Sequence, residues 1–286
     1  MDEFLQALAQ GFLVGSTYGM LALGMGLIYS VSGIVNFAHG EFVSLGMYLC
    51  LALFTAFALD PYVSLIITLP VMMILGACVY QVLIRPVASQ HLLMVIQLTL
   101  GVALVVQNGI LMIFGGQFVR TPSVVEAKLI LLGPVVMRLP HVIACLASFA
   151  IAAALFTLLR ATDWGRAIRA VHQNSRAAAL MGIDVNRVRL LTFAAGIGLL
   201  AVAAALIVPG TPMHPSLGMR YTVITLIVVV LGGMTNFVGI MLAGLVIGIS
   251  EALGTIYLSE TLGMLLPYAI FVLIMLMRPQ GLLKAA

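Results

Sequence analysis

The sequence predicts an all-α fold: a polytopic transmembrane helical bundle of about 8–9 spanning helices, with discontinuous helices near its centre. Three observations predict it. Of 286 residues, 63% are hydrophobic and only 8% charged, with a mean hydropathy of +1.22, which lies outside the range of soluble globular domains. Apolar stretches long enough for a hydrocarbon core, which takes roughly 20 residues per helix, recur along the whole chain. Runs such as LIITLPVMMILGACVYQVLI are apolar on every face, whereas a membrane β-strand alternates over about ten positions.

The expected spans are 5–29, 37–59, 63–84, 92–114, 141–159, 191–209, 222–235, 238–258 and 262–277. They make one transmembrane domain over 1–286, with a long polar loop at 160–190. The first span follows MDEF, which lacks a basic n-region, so it is expected to stay as helix one and not to be cleaved as a signal peptide. Gly11, Gly15 and Gly19 share one of its faces, as Gly244 and Gly248 share one on the eighth span; such small-residue faces let helices approach closely. The span at 222–235 is short for a full crossing, so eight spans plus a re-entrant piece is the alternative. Cys50, Cys78 and Cys145 lie in apolar runs without metal spacing and are expected to be small buried hydrophobes.

Orientation comes from the loop. Arg160, Arg166, Arg169, Arg176, Arg187 and Arg189 stand against Asp163 and Asp184 there, so the positive-inside rule makes it cytoplasmic. Counting outward, Arg85, Arg278 and Lys284 fall inside, while Asp60 and the acidic N-terminus fall outside. The 115–140 loop, with Arg120, Lys128 and Arg138, falls outside and breaks the rule. The net charge of +4 is topogenic and gives no reason to expect nucleic acid.

Between the first two spans stands GIVNFAHGEF (33–42), polar and without Lys or Arg. Irregular backbone within a membrane is tolerated only where protein buries it or water solvates it. The stretch is read as a discontinuous helix lining a cavity; the alternative is a tight turn capped by Asn36 and Ser32. Gly33-x-x-Asn36-Phe37 is echoed by Gly233-x-x-Asn236-Phe237, and paired interruptions of this kind point to a transporter's central site. The expected substrate path therefore holds Asn36, Phe37, His39, Gly40, Glu41, Gly233, Asn236 and Phe237, with Gln97, Thr99 and Asn108 of the fourth span. Glu41 and Glu251 would each cost about 2.5–3.5 kcal/mol at a helix centre, so both should face protein or water. No spacing supports a metal site or a catalytic set. An intramembrane hydrolase would need Glu41, His39 or Glu251 to cluster with a nucleophile, and a stand-alone secondary transporter or channel would use Glu41 and His39 for proton coupling.

The segment WGRAIRAVHQNSRAAALMGIDVNRVRLLTF (164–193) is Ala- and Arg-rich, with helical propensity over its first half, Gly182 as a stop, and Asp184 or Asn186 as a cap for the next helix. It is either a handle for another protein or a surface helix on lipid headgroups. Its Ala177-Ala178-x-x-x-Gly182 spacing is similar to the loop by which ABC importer permeases dock on their ATPases, although Arg176 stands where the general motif has Glu. With GIVNFAHGEFVSLGMY, LGGMTNFVGIMLAGLVIGISEAL and RPQGLL, the chain resembles the LivH-type branched-chain amino acid ABC transporter permeases from helix one to the C-terminus. That resemblance implies a bacterial inner-membrane protein paired with a second, identical or different, permease subunit. It further implies two cytoplasmic P-loop ATPase subunits and a periplasmic substrate-binding protein as partners. ATP would be used by the partners, since no Gly-x-x-x-x-Gly-Lys-Ser/Thr loop is present and no cofactor is expected on this chain. Trp164, Gly165, Arg169, Arg176, Ala177, Ala178, Gly182 and Asp184 would carry the coupling. The resemblance leaves the solute open among branched-chain and other amino acids, urea, amides and aromatic acids.

Overall fold

The computed structural model describes residues 2–88, 90–133 and 135–278. Among these residues seven helices are long and apolar enough to cross a membrane, and two shorter apolar helices, Leu217–Gly232 and Thr261–Met277, accompany them. Helix α1 (Asp2–Ser32) is the longest at 31 residues. It is followed by α2 (His39–Phe57) and by α3 (Pro61–Val79). Asp60 starts α3 by accepting from the Tyr62 N–H, with Pro61 at the first position, where a missing N–H costs nothing. A π-turn at Tyr80–Ile84 and a single turn, α4 (Arg85–Val87), extend it. Then come α5 (Leu92–Phe114), α6 (Leu139–Ala161), α7 (Asp163–Gln173), α8 (Ser175–Leu180), α9 (Val185–Ile207), α10 (Leu217–Gly232), α11 (Phe237–Tyr257) and α12 (Glu260–Met277).

The segment expected as a plain loop at 115–140 contains an antiparallel hairpin, β1 (Leu129–Leu132) with β2 (Val135–Arg138). Gln6 ties α1 to it: its Oε1 accepts from the Val136 N–H at 2.8 Å and its Nε2 donates to the Val136 carbonyl at 2.7 Å. The N-terminus of α1 thus marks the hairpin end of the bundle, and α7 with α8 mark the opposite, arm end.

Helices α1 and α9 form the centre, with 83% and 78% of their most apolar windows buried, against 17% for α5. The glycine faces expected on α1 and α11 meet each other: a Cβ on Gly15 would stand 2.7 Å from the Gly244 carbonyl oxygen, and Gly248 lies against the Gly15 backbone. The contacts are reciprocal, α1 packing on α11 while α2 packs on α10. Exchange of the α1–α2 and α10–α11 pairs therefore maps one contact onto the other. Cys50 and Cys145 are buried as expected, but Cys78 is exposed on the outward side of α3. Two boundaries also move. The sixth span begins at Val185, because the Asp184 carboxylate accepts from the Arg187 N–H and caps it there, and the seventh runs from Leu217 to Gly232, about a turn earlier than expected.

Candidate functional site

The interruption after α1 begins at Gly33, whose φ of +65° suits glycine. About three helical turns separate Leu21 from Ser32, yet His39 Nε2 donates to the Leu21 carbonyl at 3.0 Å. Residues 33–38 therefore run back beside the last turns of α1, and α2 starts inside the bundle. There it meets the first turn of α10. The Gly40 N–H donates to Thr222 Oγ1 at 2.9 Å, and the Glu41 carboxylate packs against Gly218. A side chain at Gly40 would collide with the Gly218 carbonyl. The positive N-terminal ends of two helices thus converge on Glu41, which offsets part of the cost of burying an acid.

This discontinuous helix is the one read from the sequence, but its surroundings differ. Asn36, His39 and Glu41 are buried in protein at 1%, 0% and 2% exposure, and they line neither of the large cavities described below. Asn36 Oδ1 accepts from the Ala38 N–H at 3.0 Å, and the Phe37 carbonyl accepts from Thr222 Oγ1 at 3.4 Å. Of the two environments open to irregular backbone in a membrane, the fold uses protein.

The echo at 233–237 shares the conformation but not the depth. Gly233 has φ +87°, and Asn236 caps α11 by accepting from the Gly239 N–H at 3.0 Å, yet this break is a tight turn at the arm end. Asn236 and Phe237 line a cavity of about 730 Å3 together with Ser30, Arg160, Arg169 and His172. Two expected path residues, Asn236 and Phe237, and one expected coupling residue, Arg169, therefore share a wall.

The arm itself is two helices where the sequence suggested one. Asn174 breaks them, its Oδ1 accepting from the N–H groups of Arg176 and Ala177 at 3.1 and 3.0 Å. Ile168 and Val171 anchor α7 in the core, Gly165 packs on the Leu159 carbonyl, and Arg169 donates to that same carbonyl. Trp164 is half-buried, Ala178 is buried, and Arg176, Ala177 and Asp184 are exposed. Gly182 ends the arm at φ +86°. Just before it, Leu180 and Met181 stand 89% and 83% exposed.

The residues of α5 separate from the rest. Thr99 is buried, its hydroxyl bonded to the Ile96 carbonyl, but Gln97 and Asn108 are exposed on the outward side of the bundle.

A second cavity, of about 330 Å3, occupies the half of the bundle nearer the hairpin, between α1, α6, α9, α10 and α11. Its charged wall is one that sequence reasoning missed. Arg220 Nη2 donates to Glu251 Oε1 at 2.7 Å, and the Tyr18 hydroxyl donates to Glu251 Oε2 at 2.9 Å. Glu251 was flagged by its cost in an apolar helix; Arg220 fell just outside the expected span. That omission hid the pair.

Seven helices long and apolar enough to cross a membrane, one break between helices inside the bundle and cavities toward both ends are the architecture of a multi-pass membrane protein. The family described as branched-chain amino acid transport system, permease component, matches residues 7–275. The high-affinity branched-chain amino acid transport system permease protein LivH of Salmonella typhimurium is 30% identical, over 98% of this chain and 95% of its own. BraD of Pseudomonas aeruginosa is 27% identical over 98% and 96%, and the probable LivH of Methanocaldococcus jannaschii is 29% identical over 85% and 79%. No solved structure matches the chain. The chain belongs to the branched-chain amino acid transport permease family.

Proposed function

We propose that this chain is one permease subunit of an ABC importer in the bacterial inner membrane, admitting branched-chain or related amino acids by alternating access. A periplasmic binding protein delivers the solute at the hairpin end, and two cytoplasmic ATPases bind at the arm end. The observation that carries the reading is the arm. It is anchored through Ile168 and Val171 against the core yet leaves Leu180 and Met181 bare, which is the form of a lever gripped by another protein. Arg189 Nε, donating to the Val31 carbonyl at 3.4 Å, links the helix after the arm to the end of α1 just before the break. A push on the arm is thereby delivered beside residues 33–38. ATP binding drives transport only if it favours one of two permease states, and the α1–α2 break is the element that can differ between them. ATP is consumed by the partners, and this chain binds no cofactor.

The test is purification from native membranes in mild detergent, with partners identified by mass spectrometry and uptake followed in vesicles. Two P-loop ATPases, a second permease subunit and uptake lost on ATP depletion are expected. Uptake that follows the proton gradient and ignores ATP would instead assign proton coupling to Glu41 and His39.

A further inference from the structure

We propose that the cavity beside Arg220 is a binding site for the carboxylate of a small zwitterion, with Arg220 as the group that receives it. The proposal rests on the permease reading above only in supposing that such a solute passes through this chain.

The geometry divides labour among three side chains from three helices. Glu251 accepts one hydrogen bond on each carboxylate oxygen, from Arg220 and from Tyr18, and these two bonds fix it as the anchor that orients Arg220. Arg220 makes only that one hydrogen bond among the described residues. A guanidinium has five N–H donors in a planar fork, so donors remain for an incoming carboxylate. The side-chain exposures agree, 40% for Arg220 against 13% for Glu251. Arg220 lies in the first turn of α10, where the helix dipole also favours an anion. An arginine held at one edge by a fixed carboxylate is oriented before the ligand arrives, which reduces the entropy lost on binding.

The remaining wall selects what accompanies the carboxylate. Val14, Leu206, Ile207 and Ile256 supply an apolar surface, while Gln10 and Thr211 supply neutral oxygens suited to an ammonium. Arg220 and Glu251 cancel each other's charge. A zwitterion therefore enters without placing net charge in the membrane interior, whereas a simple carboxylate adds a charge of one. The volume, about 330 Å3, lies at the small end of ligand pockets and suits a solute of amino-acid size. Gln10, Val14 and His141 also line a neighbouring cavity of about 400 Å3 against the hairpin residues Leu129 and Val136, so the two cavities adjoin on that side.

The test is ligand-observed NMR binding to the purified full-length chain in lipid nanodiscs, with L-leucine, L-leucinamide and 3-methylbutanoate as probes. L-leucine is expected to bind at least tenfold more tightly than L-leucinamide, which lacks the carboxylate, and more tightly than 3-methylbutanoate, which lacks the ammonium. R220K keeps a charge against Glu251 but loses the fork, and should weaken leucine about tenfold. The paired change R220Q/E251Q removes the cation without stranding a buried carboxylate. It should erase the preference for leucine over leucinamide while leaving the elution profile and melting temperature of the chain intact. Equal binding of leucine and leucinamide, no leucine binding by the wild-type chain, or an unchanged preference in R220Q/E251Q overturns the site. ATP-driven uptake by the assembled transporter is measured separately. A complex that imports amino acids equally well with R220Q/E251Q loses the site and keeps the importer reading, whereas binding by the chain with no ATP-driven uptake does the reverse.

Discussion

Single residues set how closely the central helices of this protein approach. Gly15, Gly244 and Gly248 sit where a Cβ would meet backbone atoms of the opposite helix, which cannot rotate away as a side chain can. In lipid, where helix association depends on packing because tails are as apolar as leucine, this close approach is a main source of cohesion. Gly15→Leu and Gly248→Leu are each expected to cost at least the 1–3 kcal/mol, roughly, of an overpacked core. Size-exclusion yield and melting temperature in detergent should both fall. Gly109→Leu serves as the control, because nothing lies within 4 Å of its added Cβ, and it should behave as wild type. These glycines were legible in the sequence from their four-residue spacing alone. Their partners were not assigned, because contact between α1 and α11 joins the two ends of the chain. Tyr18 was missed as a partner of Glu251 for the same reason, its hydrogen bond spanning 233 positions, whereas Arg220 was missed because it fell outside the expected span.

At the scale of elements, local signals were read well and non-local ones poorly. Gly182 and Asp184 end and restart helices as their side chains and backbone freedom require. The α1–α2 break was visible as polar atoms in an apolar setting, but whether protein or water surrounds it is decided by α10, far along the chain. Asn174 is a strong helix-capping residue whose signal was overridden by the alanines after it, so the arm was expected as one helix. The hairpin escaped because strands of four residues carry too little alternation to recognise. The arm then supports a specific expectation. Leu180→Asp and Met181→Asp change exposed side chains with no packing role in this chain, so folding and melting temperature should be unchanged. Stimulation of the partner ATPase and transport should fall by tenfold or more if these residues fill an apolar groove, since a charge buried there without a partner costs several kcal/mol. Co-purification of the ATPase with each variant checks this directly, and full retention with normal transport would move the docking surface elsewhere on α7 or α8.

For the whole molecule, the least buried spanning helix, α5, carries two exposed amides, Gln97 and Asn108, among the apolar residues of its outward face. Gln97, Gly101, Leu104 and Asn108 follow one another at intervals of four, three and four residues on α5, and all four are exposed. Asn108 Nδ2 finds a partner in its own Leu104 carbonyl at 2.8 Å, which leaves the amide oxygen for another chain. Amides carry both a donor and an acceptor, so a seam of this kind can pair with a second copy or a close homologue about a twofold axis. By contrast, the exposed face of α3 is apolar, with Ile66 and Ile74 at 75% and 64% exposure, and suits lipid. A cysteine placed at Gly101, in a background with Cys50, Cys78 and Cys145 replaced, is expected to form an oxidative cross-link to the proposed second permease subunit in native membranes. A cysteine at Ile66 should not. Cross-linking at Ile66 alone would put the partner on α3 and return Gln97 and Asn108 to the lipid. Cross-linking at Gly101 to an identical chain would make the transporter a permease homodimer, and to a different chain a heterodimer, in either case with the α5 amides of this chain at the subunit boundary.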